Sequence, residues 1–249
     1  MPQKEAGMFE QLSAMIPRRR SVRSYLPEPV EDAMLAEIRA FMVTLQPLIP
    51  GAAVEARIIP TASASFMQKW RNPQFLAFYA VEGEDALINV GFMYQQLDLY
   101  LQSRGLGTCW VGLGWPDEKV APAPEGMKLA VMMAFGHPDN VPLRTAEDFK
   151  RREMDDMSDL PDPRLEVARL APSATNSQPW SFVHDGDVLH VYREELGLLK
   201  KRTHGRMNLV DMGIMLAHLY ITNPKTFVFT RAEEPPMKDG CLYIGSVRL

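Results

Sequence analysis

Apolar residues recur at helical spacing from Glu28 to Phe41, where Val30, Met34, Leu35, Ile38 and Phe41 share one side and Pro29 sits early, where its missing N–H costs little. This predicts a helix directly after the segment RRRSVRSY (Arg18 to Tyr25). A shorter helix is predicted over Arg164 to Ala171, with Leu165, Val167, Ala168 and Leu170 apolar. Pro172 stops it by disfavouring the α conformation at Ala171, so APSATNSQPW (Ala171 to Trp180) is a loop that follows a helix. WSFV and VLHVY then flank His184-Asp185-Gly186-Asp187, a β-hairpin signal in which the Asp-Gly pair supplies the positive φ angles of a tight turn.

Two further segments are apolar on nearly every side, which in a water-soluble chain means helices packed on several faces. They are also near copies: LINVGFMYQQLDL from Leu87 recurs as LVDMGIMLAHLYI from Leu209, 122 residues later. The spacing predicts two central helices and two pseudo-repeat halves, about 1–150 and 151–249, within a single domain. In the first half GLGTCWVGLG leads from a glycine-rich helix end at Gly105 and Gly107 into a short strand around Cys109 to Val111. KLAVMMAFGHP is a short buried strand, with CLYIGSV as its counterpart near the C-terminus. Arg144 to Arg164, dense in charge and proline, is expected to be an exposed crossover between the halves. Helices and strands alternate without the regular repeat of a parallel sheet, so the fold class is α+β.

With 249 residues, 46% of them hydrophobic, the chain can bury a core of one large domain or two small ones. A net charge of −4 argues against a general nucleic-acid binder, so the arginines at 18, 19, 20 and 23 need a more local partner. Cys109 and Cys241 are far apart and lack neighbouring ligands, which suggests no disulfide, no metal site and a reducing, cytoplasmic location. No apolar run approaches the ~20 residues of a membrane span. The methionines read as core filler, and His204 and His218 as surface or core residues.

A phosphate calls for forked guanidinium donors and a hydroxyl converging from one short segment, and Arg19, Arg20, Ser21 and Arg23 offer that set. Ser173, Thr175, Asn176 and Gln178 offer carboxamides and hydroxyls that suit the alternating donors and acceptors of a flavin's pyrimidine edge. The alternative is a loop whose polar side chains cap their own backbone. GLGTCWVGLG has the wrong glycine intervals for a dinucleotide-binding turn, and it follows a helix instead of opening one.

RRRSVRSY, APSATNSQPW, GLGTCWVGLG and AFGHP together resemble the motifs of the FMN-dependent nitroreductase family. Ordinary members carry each motif once per subunit and dimerise. Here FMVTLQPLIPG stands where the first half should have its Asn-x-Gln-Pro-Trp loop, and DDMSDLPDP stands where the second half should have arginines. The chain therefore resembles a single-chain branch, a three-layer α/β/α fold whose two half-folds mimic the family homodimer, with one whole site and one FMN.

That resemblance implies phosphate and ribityl contacts from Arg19, Arg20, Ser21 and Arg23, with Arg144 adding to them. It places Pro172, Ser173, Ala174 and Asn176 against the ring, and Trp110, Val111 and Gly112 near its redox region. Ala174 stands where members often have a hydroxyl, and part of the pocket lining falls within Thr61 to Asn72. The implied activity is a ping-pong oxidoreductase in which NAD(P)H gives hydride to the flavin and a small electron-poor acceptor takes it. No catalytic side chain is required, because the flavin carries the chemistry. The other reading is a non-catalytic module that binds flavin or another phospho-ligand. As a partner of itself, the chain is expected to be a monomer acting as a pseudo-dimer, or a homodimer.

Overall fold

A computed structural model describes residues 3–60, 64–66, 74–195 and 198–249, with the side chains of 3–5, 64–66, 146 and 198–204 left aside. In chain order the first part contains α1 (Gln3–Met15), α2 (Asp32–Thr44), β1 (Val54–Ile59), β2 (Ala64–Phe66), β3 (Gln74–Ala80), α3 (Glu84–Ser103), β4 (Gly107–Val111), β5 (Gly114–Pro116) and β6 (Lys128–Gly136). There follow α4 (Glu166–Arg169), β7 (Trp180–Asp185), β8 (Val188–Glu194), α5 (Leu198–Thr222), β9 (Val228–Thr230) and β10 (Cys241–Arg248). The fold class is α+β, as the sequence implied.

The two segments that are apolar all round become the longest helices, and every residue of α3 from Ala86 to Gln102 is buried. They pack on each other through glycines at equivalent places in the repeat. A Cβ on Gly91 would lie 2.0 Å from the Val210 carbonyl oxygen, and one on Gly213 would lie 2.0 Å from that of Ile88. Since Ile88, Gly91 and Phe92 match Val210, Gly213 and Ile214 by the 122-residue offset, the contact is self-complementary, as at the interface of a symmetric dimer. An approximate two-fold axis thus runs between the glycines.

Around these helices lie two four-stranded sheets, ordered β1-β3-β6-β4 and β7-β8-β10-β9, with every pairing antiparallel. The route through each is the same: two adjacent strands, a central helix, a short edge strand, then the strand that fills the gap. β2 and β5 form a separate small pair. One hydrophobic core spans both halves, with Phe78, Phe135, Trp180 and Phe182 fully enclosed. Among the described residues no helix is long and apolar enough to cross a membrane.

Three local expectations need correction. The helix predicted from Glu28 begins at Asp32, because Pro27 and Pro29 keep the chain out of the α conformation and Val30, buried in the core, donates its N–H to Gln74 Oε1 (2.6 Å). In the hairpin only Gly186 has a positive φ (57°), which makes it the first residue of the turn; Asp185 remains in β7. The segment from Arg144 to Arg164 has no helix longer than three residues up to Asp162, yet it is not merely exposed. Met157 is fully buried and accepts the Phe182 N–H (2.7 Å), and Ser158 bridges Phe182 in parallel, so the segment covers the open edge of β7. Helix α1 packs Leu12 and Met15 into the core, joined by Ile16 just beyond its end.

Candidate functional site

Leaving α1, the chain runs along the edge strand β4. Ser21 pairs with Thr108, and the Val22 N–H donates to the Thr108 carbonyl (2.8 Å). Gly107 is required here, since any Cβ would meet the Val22 side chain at 2.7 Å. This docking turns Arg19 inward. Its side chain is 3% exposed, with Nε paired to Asp98 (2.5 Å) and Nη2 donating to Ser21 Oγ (3.3 Å). Asp98 is fully buried in α3 and also accepts from Thr108 Oγ1 and from Gln102 Nε2 (3.2 Å), while Gln102 Oε1 takes the Arg20 N–H (2.9 Å). Arg19 is thus a neutralised anchor that fixes the backbone from which its neighbours project.

Arg20 is half-buried and reaches Asp148 (2.5 Å) with Nη2, leaving its Nε buried and without a partner among the described residues. Arg23 is exposed. Arg144 joins them, because its N–H donates to the Arg18 carbonyl (2.9 Å) and its guanidinium lies 4.7 Å from the Phe149 ring centroid. Arg151 lies 5.3 Å from the same centroid. Nη1 of Arg144 and Nε of Arg151 are also buried without partners among the described residues. Burial, then repulsion from Arg19 and Arg20, holds Arg144 below the ordinary arginine range. Burial and the charges of Arg144, Arg19 and Arg169 lower Arg151 to about 10. Five guanidiniums therefore crowd together against the carboxylates of Asp98 and Asp148.

From the other half comes the loop after α4. Thr175, Asn176 and Gln178 all have positive φ (53°, 60° and 49°), a conformation that costs a residue other than glycine on the order of 1 kcal/mol or more. The surroundings impose it. Asp211 of α5 accepts the Ala174 N–H (2.9 Å), and Ser173 Oγ accepts the Gln178 N–H (2.9 Å). The Gln178 side chain donates to the Asn176 carbonyl (3.0 Å) and accepts the Arg152 N–H (2.8 Å). Asn176 itself accepts from Arg151 Nη1 (2.6 Å) and donates to the Lys150 carbonyl (2.9 Å). Desolvation pushes the Asp211 carboxyl up to about 8 despite the hydrogen bond from the Ala174 N–H. One turn earlier on α5, Asn208 is fully buried and neither of its amide atoms has a partner among the described residues.

Trp110, Val111 and Gly112 form the end of β4 and the residue beyond it. A Cβ on Gly112 would stand 3.6 Å from Met207 Sδ, so this strand end faces α5. Behind it runs a directed chain of hydrogen bonds. Trp110 Nε1 donates to Gln95 Oε1 (3.2 Å), Gln95 Nε2 lies 3.2 Å from His218 Nε2, and His218 Nδ1 lies 2.8 Å from the Val167 carbonyl. A carbonyl can only accept, so the His218 proton sits on Nδ1 and Nε2 accepts from Gln95. Complete burial lowers the His218 pKa to about 4, and the ring is neutral near pH 7. This histidine is a core residue; the side chain of His204 lies outside the described residues.

The structure therefore bridges the arginine segment to the Asn176 loop through residues 144–151, by way of Arg144, Phe149 and Arg151. Pro172 and Ser173 lie in the same loop, whereas the expected lining from Thr61 to Asn72 falls outside the described residues except for the backbone of β2. Neither of the two cavities described, about 370 Å³ and about 450 Å³, is lined by residues of this cluster. Asp98, Arg151 and Asp211 were not singled out from the sequence. The two acids had a signal there, as lone carboxylates inside near-continuous apolar helices. Arg151, within a charged run, had none. Among the described residues no cluster of His, Cys, Asp and Glu could hold a metal ion.

Comparison with known proteins is consistent with this architecture. Residues 11–223 match the family model described as "Putative TM nitroreductase". A crystal structure from Thermotoga maritima, described as a "putative nitroreductase", is 22% identical over 95% of this chain and 92% of its own, with a TM-score of 0.64, and shows the same fold. An FMN-dependent nitroreductase from Clostridium difficile is 13% identical, covering 55% of this chain and 93% of its own, with a TM-score of 0.44. Nitroreductase A from Vibrio parahaemolyticus is 16% identical, covering 59% and 79%, with a TM-score of 0.43. No curated protein matches.

Proposed function

We propose, from the premise that this chain belongs to the nitroreductase family, that it is an FMN-dependent oxidoreductase whose arginine cluster holds the cofactor phosphate and whose Pro172–Gln178 loop meets the ring. The observation that carries this reading is the trio of buried, unpartnered guanidinium atoms, Arg20 Nε, Arg144 Nη1 and Arg151 Nε, within one crowd of like charges. Leaving a buried donor unpaired costs roughly 1–3 kcal/mol, and a phosphate with nearly two negative charges answers several at once. Asp148 already occupies one Arg20 N–H, so the phosphate competes with a carboxylate for that position. Asn176 and the backbone at Trp110, Val111 and Gly112 would supply donors and acceptors to orient the ring.

When bound, FMN would supply the redox chemistry of an NAD(P)H-dependent oxidoreductase acting on an electron-poor acceptor. The chain's own part is placement. Asp98 and Gln102 hold the arginine segment, Asp211 and Arg151 hold the loop in its left-handed conformation, and neutral His218 keeps Trp110 aligned without adding charge.

FMN titration followed by NAD(P)H oxidation with and without an acceptor tests the proposal. The expected outcome is stoichiometric FMN binding and acceptor-dependent turnover. Binding without turnover would identify a flavin-binding module instead. The double variant Arg20→Ala, Arg23→Ala is expected to weaken FMN binding by about a hundredfold or more while leaving the circular dichroism spectrum unchanged. Undiminished affinity in that variant would remove the arginines from the site.

A further inference from the structure

The cavity of about 370 Å³ lies apart from the arginine cluster, and its walls match by the 122-residue offset that relates the central helices. Gly83, Glu84 and Leu87 at the start of α3 stand across from their equivalents Gly205, Arg206 and Leu209 of α5. The cavity is thus astride the approximate two-fold axis. Its volume falls in the ordinary range for small-ligand sites.

Three features give it a chemical preference. Helix α3, 20 residues long, begins at Glu84 after Gly83, whose lack of a side chain leaves the N-terminal N–H groups without a side-chain cap; Glu84 and Asp85 in the first turn offset part of the dipole's positive end. Arg193 lines the cavity and is only 7% exposed. Its Nη1 donates to the Gly205 carbonyl (3.2 Å), its Nε is buried without a partner among the described residues, and its Nη2 forms a loose ion pair with Glu84 Oε1 (4.0 Å), longer than a hydrogen bond. Nε and Nη2 are the two parallel donors along one edge of a guanidinium, the edge that grips a carboxylate bidentately. The remaining wall includes Ala80, Val81, Leu87 and Leu209, which is apolar.

Charges at the rim are mixed. Lys128 and Arg206 favour an anion, and Glu82 and Glu84 oppose it. Both acids are peripheral, with side chains 88% and 70% exposed, whereas Arg193 is buried. A desolvated guanidinium edge outweighs exposed carboxylates screened by solvent.

We propose that this cavity is a second ligand site, separate from the flavin site, which takes a small organic carboxylate with an apolar body on the Nε–Nη2 edge of Arg193 in place of Glu84. The test uses the full chain saturated with FMN, with 2-naphthoate as probe and uncharged 2-naphthamide as control, read by calorimetry. The acid is expected to bind saturably and about tenfold or more tighter than the amide. That preference should vanish in Arg193→Met, shrink in Arg193→Lys, which keeps charge without the fork, grow in Glu84→Gln, and stay unchanged in Arg20→Ala. Equal binding of acid and amide, or a preference that survives Arg193→Met, overturns the proposal. A preference lost in Arg20→Ala does so too, by moving the anion to the flavin site. Should Arg193→Met fail to fold, Glu84→Gln decides alone: no gain in acid affinity rejects the site.

Discussion

Two loops, one in each half, are held from equivalent positions on the central helices, and only one of them is strained. In the first half Asn89 caps the loop at Ile49, accepting its N–H (2.9 Å) and donating to the carbonyls of Ile49 (2.8 Å) and Ala52 (2.9 Å). At the equivalent position, 122 residues on, Asp211 accepts the N–H of Ala174. The Asn89 amide satisfies donor and acceptors together and leaves an ordinary backbone. The Asp211 carboxyl has no N–H to give, and the loop it holds turns left-handed at three residues other than glycine. One scaffold thus supports a closed, quiet loop and a strained one whose carboxamides meet Arg151 and Arg152. Strain of this kind persists where the surroundings over-determine it, which is characteristic of binding sites.

The comparison breaks most completely if its shared frame is removed. Gly91→Ala or Gly213→Ala drives a methyl into a facing backbone that cannot yield, and each is expected to cost about 3 kcal/mol or more in urea unfolding. Gly7→Ala, in open space on α1, should instead be neutral or stabilising by up to about 1 kcal/mol. Exchanging the caps comes next. Asn89→Asp sets a buried carboxylate against two carbonyls and is expected to lose about 2–4 kcal/mol without weakening FMN binding.

Asp211→Asn should show itself in pH dependence. The folded chain holds the Asp211 proton to about pH 8 against an ordinary 3.8, so the unfolded chain releases it first and stability falls as pH rises between these values. His218 acts oppositely: its folded pKa of about 4 lies below the ordinary 6.5, so stability rises with pH over that interval. The two slopes offset each other up to about pH 6.5, and above it only that of Asp211 remains. Thermal unfolding of the native sequence should therefore decline from pH 6.5 to 8, and Asp211→Asn should flatten the decline. An equal decline in both would show that the carboxyl is not the source. The smallest effect is expected from Asn176→Ala, about tenfold in FMN affinity with stability changed by about 1 kcal/mol or less.

Much of this was legible in the sequence, because the repeat and its periodicity are local. Leu87 and Leu209 announce both central helices, and Gly186 announces the hairpin. The motifs RRRSVRSY and APSATNSQPW were visible as chemistry. Hidden were the contacts made between distant segments. Nothing near Arg19 in the chain indicates that Asp98 neutralises it, which leaves Arg20, Arg23, Arg144 and Arg151 as the cations with donors to offer. Likewise the charged run around Arg151 reads as solvated, because burial of a guanidinium beneath a loop 25 residues away leaves no local pattern. Helix α2 was placed early for a related reason. Val30 is apolar in helical phase, but it is a core anchor in extended chain.

At the axis of a symmetric dimer each subunit meets its own rotated copy: an acid there faces the same acid, and any substitution is made twice. Here position 84 is glutamate and its mate at 206 is arginine, because a single polypeptide writes the two places independently. The spot where a symmetric enzyme is least free to vary is the spot where this one could acquire a new preference one residue at a time.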